Sequence, residues 1–157
     1  MDKEFEEKCL KERTIKQKPT VSIIERKEMI NSLAEQHKNN SDYLLEATKT
    51  LLESNTPLAS YITGYFAMEH KANELLALNG YKVESHICTQ ICLSRVLGRK
   101  ELAKKLSTAF NLRQAAGYRM FLEHGEAEKE NAKKVMDKEI TPFIEEINKL
   151  IKHLERG

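Results

Sequence analysis

The chain has 157 residues, of which 40% are hydrophobic and 32% charged, and 26 basic against 24 acidic side chains give a formal net charge of +2. This length and apolar content fit one folded domain and exclude a polycation, while 6 Gly and 3 Pro are too few for an all-β fold. No apolar run reaches the roughly 18 residues of a membrane span, and the charged N-terminus does not resemble a signal peptide. Three cysteines without framework spacing favour reduced thiols, so we expect a cytoplasmic protein without a membrane partner.

Helical periodicity begins in the N-terminal third of the chain. The segment Ser22–Glu25 has the pattern of a capping box, in which a serine and a glutamate bond each other's free backbone N–H groups at a helix start. An apolar stripe follows, and the polar Asn39–Ser41 predicts an interruption. A second stripe predicts a helix that ends near Asn55. The two stripes comprise Ile23, Ile30, Leu33 and Ala34, and then Tyr43, Leu44, Ala47, Leu51 and Leu52.

The most strongly periodic helix is predicted to start at Thr56-Pro57, with threonine as the cap and proline where its missing N–H costs nothing. Asn79-Gly80 predicts its end, because glycine readily adopts the left-handed conformation that closes a helix. Ser85 is predicted to cap the next helix, which ends at Gly98.

The C-terminal third has the same periodicity. We expect a helix that starts at about Arg99 and continues past Arg113, and Gly125 predicts a break. Thr141-Pro142 either starts a new helix or kinks a long one. Because no segment alternates with period two, the sequence predicts no sheet.

These elements together predict an all-α fold, an antiparallel up-and-down bundle of about five helices with an N-terminal helical extension. We assign residues 1–39 to the extension, whose one helix packs on the bundle, and residues 40–157 to the bundle itself.

The common metal and cofactor motifs are missing from the sequence. A di-iron bundle needs Glu-x-x-His on two helices, and no histidine here has a glutamate three residues before it. Cys88, Cys92 and His86 fall one ligand short of a zinc site, so the cysteines are interpreted as core residues. The isolated glycines offer no phosphate-binding loop. We therefore predict no metal and no cofactor, and interpret His70 and His86 as packing or structural residues.

Basic charge is concentrated in one part of the chain. Residues 82–119 carry eight basic and two acidic side chains, whereas residues 28–81 carry three basic and seven acidic ones. A basic segment of this kind is suited to binding phosphates. The alternative is a solvated helix face that pairs with the acidic segment.

Within the basic segment, residues 110–119 (FNLRQAAGYR) combine groups suited to phosphate recognition. Arginine binds a phosphate with two parallel hydrogen bonds, and tyrosine donates to a phosphate or stacks on a base. The small residues Ala115–Gly117 allow close backbone approach and indicate a helix or subunit contact. The alternative is a structural Arg–Glu pair with a core tyrosine. The candidate binding residues are Arg113, Gln114, Tyr118 and Arg119.

Several short motifs follow one another along the chain: Ser60–Ala72, Leu75-Leu76, Gly80-Tyr81, Ser85-His86, Leu112-Arg113, Ala116 and Tyr118. Their order and spacing resemble the HEPN family, the higher eukaryote and prokaryote nucleotide-binding domains. In that family an aromatic-rich helix is followed by a glycine, a Ser-His pair and an arginine-containing segment that ends in tyrosine. The resemblance covers roughly residues 40–155, and residues 1–39 look like an extra N-terminal segment of some prokaryotic members.

The resemblance implies an up-and-down helical bundle that forms a homodimer and is often encoded beside a minimal nucleotidyltransferase, as in toxin–antitoxin-like pairs. Active members are metal-independent ribonucleases in which an Arg-x(4–6)-His motif from each subunit faces one cleft. Here Arg113 matches the arginine, but Tyr118, Arg119 and Met120 occupy the positions of the histidine, and His124 lies eleven residues after Arg113.

We therefore expect a degenerate, non-catalytic module that binds nucleotide or RNA through the four candidate residues, pairs with a nucleotidyltransferase, or does both. The first alternative is a ribonuclease whose catalytic groups are Arg113 with Tyr118 or with a displaced histidine. The second alternative is a structural adaptor without a ligand, in which Arg113 is buried against a core carboxylate.

Overall fold

The structure is a computed structural model that describes residues 3–10, 19–54, 56–119 and 126–156. Helices make up most of this part of the chain, so the predicted all-α bundle is confirmed. The helices described here do not combine the length and the hydrophobicity that a membrane crossing requires. In chain order the elements are α1 (Lys3–Phe5), a π turn (Glu6–Leu10), β1 (Val21–Ile23), α2 (Lys27–Glu53), α3 (Ala59–Leu78), β2 (Tyr81–Val83), α4 (His86–Ile91), a π turn (Cys92–Val96), α5 (Lys100–Arg119), α6 (Glu126–Val135), a π turn (Met136–Ile140) and α7 (Thr141–Arg156).

Helices α2 and α3 form an antiparallel hairpin with the most extensive helix–helix contact of the fold. Two hydrogen bonds donated by side chains of α2 join the two helices. Ser41 Oγ donates to the Ala67 carbonyl at 2.8 Å, and the hydroxyls of Thr48 and Thr63 lie 2.8 Å apart. Because partners later on α2 meet partners earlier on α3, the helices run in opposite directions.

The predicted interruption at Asn39–Ser41 is wrong, because α2 continues through it without a break. The physical reason is that Ser41 is fully buried and its hydroxyl is used for the bond to α3. Asn39 and Asn40 are exposed, where their weak helix propensity costs little compared with the packing of the helix. The extension and the bundle that the sequence analysis divided at residue 39 therefore share one helix.

The prediction of no sheet is also wrong, since β1 and β2 pair in an antiparallel two-stranded sheet with Val21 opposite Val83. Ser22–Glu25 is not a capping box, because α2 begins at Lys27 and Arg26 at its N-cap makes no side-chain bond. Three-residue strands are too short to show an alternating pattern. Their pairing depends on Gly80, whose positive φ of 85° turns the chain and whose carbonyl accepts from the Ile24 N–H at 2.7 Å.

Several helix ends agree with the sequence analysis. Helix α3 ends before Asn79-Gly80, the Ser85 side chain accepts from the Cys88 N–H, and Gly98 has a positive φ of 67° after the second π turn. Helix α5 continues past Arg113 to Arg119. The start of α3 is different, because Leu58 occupies its N-cap and makes no side-chain bond, so the predicted Thr56 cap is wrong. The predicted break at Gly125 lies outside the described residues.

The C-terminal part is one helical stretch with an irregular centre. Helices α6 and α7 are joined without a gap by the π turn Met136–Ile140, which comes directly before Thr141-Pro142. Proline has no N–H to donate and crowds the preceding turn, and a π turn widens the helix at that point. Of the two alternatives at Thr141-Pro142, the irregular long helix is therefore the one observed.

Helix α3 lies at the centre of the fold and contacts α2, α5, α7 and β2. Most of its residues are buried, including the polar Lys71 and Glu74, which pair with each other at 2.6 Å. The main core surrounds this helix. A smaller cluster lies under the sheet and comprises Phe5, Cys9, Val21, Leu76, Val83, Cys88, Ile91 and Cys92.

The expectation of reduced thiols is wrong for Cys9 and Cys88, which form a disulfide. Helix α1 packs on α4, and this brings together two cysteines that are 79 residues apart in sequence. A spacing of that length carries no recognisable pattern. Cys92 is free and buried, and burial raises the pKa of its thiol to about 12. The interpretation of Cys88 and Cys92 as core residues is confirmed.

Candidate functional site

The candidate site is a group of aromatic and charged side chains where α3, α4 and α5 meet. Helix α3 contributes Tyr65 and Phe66, and α5 contributes Phe110. The Tyr65 ring lies at the centre, with its centroid 5.5 Å from that of Phe66 and 5.6 Å from that of Phe110, both in edge-to-face geometry. We call these three rings the aromatic cluster.

Arg113 lies against the aromatic cluster. Its Cζ atom is 5.0 Å from the Tyr65 centroid, 5.1 Å from that of Phe66 and 4.9 Å from that of Phe110. Each distance is within the range of a cation–π contact, which is worth about 0.5–2 kcal/mol. The spacing of Phe110 and Arg113 on α5 explains the arrangement, since residues three apart share a helix face.

Arg113 is half-buried. Within the part of the chain that the structure describes, no carboxylate forms an ion pair with it. An arginine held by ring faces keeps its N–H groups, which lie in the guanidinium plane, available for an anion. The arrangement therefore suits recognition of a phosphate or carboxylate.

His86 contacts the same aromatic cluster, with its ring centroid 5.8 Å from Tyr65, 6.2 Å from Phe66 and 5.9 Å from Phe110. It is the first residue of α4, and the Ser85 cap fixes the start of that helix. Arg113 and His86 therefore both contact the same aromatic cluster.

Glu69 completes the group. It lies one helical turn after Tyr65 on α3, and its Oε1 contacts the Nδ1 of His86. The Tyr65 hydroxyl is 3.2 Å from both of these atoms. Burial and the neighbouring Glu69 raise the pKa of Tyr65, so its hydroxyl stays protonated and donates.

The contact with Glu69 orients the imidazole of His86. A carboxylate on Nδ1 selects the tautomer in which Nδ1 carries the proton and leaves the Nε2 lone pair free to accept one. The His86 side chain is 43% exposed, whereas that of Glu69 is only 11% exposed. An oriented and accessible imidazole can transfer protons, which is a chemical capacity that the sequence analysis did not assign to His86.

The four residues predicted to form the binding site are not gathered on one face of α5. Five positions separate Arg113 from Tyr118, which is about 140° around a helix axis. Gln114 and Tyr118 share a different face, where both are exposed, Tyr118 to 85%. The side chain of Arg119, and all of Met120 and His124, lie outside the described residues.

Sequence reasoning missed Glu69, the role of His86 and the aromatic cluster. The spacing of Tyr65 and Glu69 was visible on the predicted α3 helix, and so was the Ser85 cap. What the sequence did not show was that the turn at Gly80 and strand β2 return the chain so that His86 meets Glu69.

Two basic residues of the segment 82–119 form ion pairs in the described part of the chain. Lys82 pairs with Glu84 at 2.6 Å, and Lys105 pairs with Glu139 at 3.6 Å. Both acidic partners lie outside the 28–81 segment.

No protein-family model matches the sequence, and no curated protein shows significant similarity to it.

Proposed function

We propose that the chain is a HEPN-type helical module that binds the phosphate groups of RNA or of a nucleotide through Arg113. The observation that supports this proposal is the guanidinium of the half-buried Arg113, held on the aromatic cluster without an ion-pair partner in the described residues. The rings fix the position of the charge, and two parallel N–H groups are left for phosphate oxygens. The HEPN assignment itself rests on the sequence motifs.

The hypothesis of a structural adaptor without a ligand has less support than the binding proposal. A purely structural arginine is expected to pair with a core carboxylate, because a buried and unpaired charge is costly. Arg113 lies instead on ring faces at a partly exposed position. Such a position suits a ligand that completes the charge balance on binding.

The proposed assembly is a homodimer, with a minimal nucleotidyltransferase as a further candidate partner. The end of α5 presents Gln114, Ala115, Gly117 and Tyr118 at the surface. A Cβ atom added at Gly117 would meet no heavy atom within 4 Å, so this stretch leaves room for a second backbone to approach. Light scattering of the pure chain and identification of what co-purifies with it test both partners.

Fluorescence anisotropy with a single-stranded RNA oligonucleotide at low salt tests the binding proposal. We expect Arg113→Ala to weaken binding at least tenfold. Lys104→Ala is the matched control, because Lys104 is an exposed cation on the same helix and its loss changes the net charge equally. We expect this control to weaken binding about twofold or less. Equal losses in both variants, or no binding of RNA or nucleotide by the wild type, would contradict the proposal.

A second candidate function, a metal-independent ribonuclease, is favoured by the contact between His86 and Glu69. The Nε2 atom of His86 would accept the proton of a ribose 2′-hydroxyl as its oxygen attacks the adjacent phosphorus. The bond to the 5′-oxygen then breaks, the leaving oxygen takes up a proton from water, and a 2′,3′-cyclic phosphate remains. Arg113 would stabilise the developing charge on the phosphate. The sequence analysis named no residue for the displaced histidine of this alternative, and the present candidate assigns that role to His86.

Cleavage of single-stranded RNA in the presence of EDTA tests this candidate. We expect His86→Gln to abolish cleavage with RNA binding retained, and Arg113→Ala to lose both. His153→Gln, which changes an exposed histidine on α7, serves as the control and should cleave like the wild type. Full activity of His86→Gln would exclude His86 as the base. An inactive wild type would exclude the enzyme but leave the binding proposal in place.

A further inference from the structure

A second group of chemically active side chains lies on the α2–α3 hairpin. His37 on α2 and His70 on α3 face each other, with their Nδ1 atoms 2.9 Å apart and their ring centroids 5.1 Å apart. Both residues are half-buried. The site described above uses neither of them.

The hairpin holds the two rings in a fixed relation. The Ser41–Ala67 hydrogen bond joins α2 to α3 one helical turn from His37 on α2. Because this bond ties the two helices together one turn from the rings, the two nitrogen atoms are kept close without help from a ligand. Such preorganisation lowers the entropic cost of binding.

The two Nδ1 atoms are at hydrogen-bond distance from each other, and their donor and acceptor roles depend on the tautomer of each ring. In the neutral pair one Nδ1–H donates to the lone pair of the other Nδ1. If that proton moves to Nε2 of its own ring, both Nδ1 atoms have a free lone pair, and both lone pairs face the space between the two rings. Neither ring has to lose a proton for this change.

The 2.9 Å separation matches two neighbouring ligands of one metal ion. Metal–nitrogen bonds of about 2.0–2.1 Å place two nitrogens about 2.9 Å apart at a right angle and about 3.3 Å apart at a tetrahedral angle. Right angles belong to square-planar and tetragonal complexes, which Cu²⁺ and Ni²⁺ form with nitrogen and oxygen ligands.

We propose that His37 and His70 form a two-histidine site for a transition-metal dication, with Cu²⁺ preferred, that fastens α2 to α3. No group of three His, Cys, Asp or Glu residues suited to a metal occurs in the described ranges, so water supplies the other ligands. This proposal is independent of the proposed function, since it involves neither Arg113 nor His86.

Isothermal titration of the full chain with CuCl₂, NiCl₂ and ZnCl₂ in a buffer that does not chelate metals tests the proposal. We expect one Cu²⁺ per chain, affinity in the order Cu²⁺, Ni²⁺, Zn²⁺, and a melting temperature that rises with Cu²⁺ concentration. His37→Gln and His70→Gln should each weaken Cu²⁺ binding at least tenfold, while His153→Gln should bind like the wild type.

Two measurements on the wild type keep the test independent of how well the variants fold. Electron paramagnetic resonance of the Cu²⁺-loaded chain should show coupling to two imidazole nitrogens. Cu²⁺ should also protect His37 and His70 from modification by diethyl pyrocarbonate, as read by mass spectrometry. Absence of binding, protection at other histidines, or unchanged affinity in a folded His37→Gln variant would each overturn the proposal and leave a simple His–His hydrogen bond.

Discussion

At the residue scale, two glycines with positive φ show how much a single backbone position contributes. Gly80 connects α3 to β2 and has φ of 85°, and Gly98 precedes α5 and has φ of 67°. The surroundings of the two differ. A Cβ atom on Gly80 would lie 3.1 Å from the Ile24 carbonyl oxygen, whereas one on Gly98 would meet nothing within 4 Å.

We expect Gly98→Ala to lower the free energy of unfolding by about 1–2 kcal/mol, which is the strain of the left-handed conformation alone. Gly80→Ala should cost at least about 1 kcal/mol more, because the Ile24 peptide bonds to Gly80 and cannot move away freely. Urea denaturation of both variants measures the difference. Equal losses would show that the contact with Ile24 has no energetic effect.

At the element scale, long amphipathic helices were predictable and short or polar features were not. The C-terminal end of α3, the Ser85 cap and the continuation of α5 past Arg113 follow from local patterns of glycine, serine and apolar spacing. Asn39–Ser41 did not break α2, because tertiary burial of Ser41 outweighs local propensity. The strands were missed because three residues cannot show a period.

The candidate site shows the same difference between features set by local sequence and features set by tertiary contacts. Arg113 was found from its own sequence neighbourhood, and its helix is as predicted. Its partners come from three elements that only the tertiary structure brings together, so Tyr65, Glu69 and His86 were missed. Tyr118 and Gln114 share sequence proximity with Arg113, but the helical twist directs them elsewhere.

The α2–α3 hairpin is expected to weaken in mild acid because of His37. The pKa of His37 is about 4 in the folded chain and 6.5 in the unfolded chain. Between these two pH values the unfolded chain therefore binds a proton at His37 that the folded chain does not bind. Stability contributed above pH 6.5 is therefore lost as the pH falls toward 4, by about 2–3 kcal/mol in total. The lowered pKa of His70 acts in the same direction, and the raised pKa of Glu74 opposes it.

Comparison with His37→Gln isolates this effect, because Glu74 is common to both proteins. The advantage of the wild type over this variant in unfolding free energy should shrink between pH 7 and pH 5. The exposed His153→Gln variant should follow the wild type across the same range. A difference between wild type and His37→Gln that stays constant with pH would contradict the assigned direction.

At the scale of the whole molecule, the central α3 helix joins two apolar clusters, and the Cys9–Cys88 disulfide attaches the N-terminal segment to the smaller one. Closing a loop of this length restricts the unfolded chain and stabilises the fold by about 2–4 kcal/mol. Reductant should therefore lower the melting temperature of the wild type by several degrees.

Variants of the cysteines check the assignment. Cys9→Ala should melt at a lower temperature and should no longer respond to reductant, because it cannot form the disulfide. Cys92→Ala removes the free thiol and should respond to reductant as the wild type does. A wild type whose melting temperature is the same with and without reductant would contradict a stabilising disulfide.

The same bond changes how the chain carries a mechanical load. The disulfide closes a covalent ring that contains α2, α3 and the sheet. When the chain is pulled from its two termini and extended, the covalent path runs directly from Cys9 to Cys88, so the ring is not stretched. At about 3.4 Å per residue, the 79-residue separation shortens the fully stretched chain by about 270 Å when the disulfide is intact. Only the segments outside the ring, chiefly α5, α6 and α7, can then be drawn out.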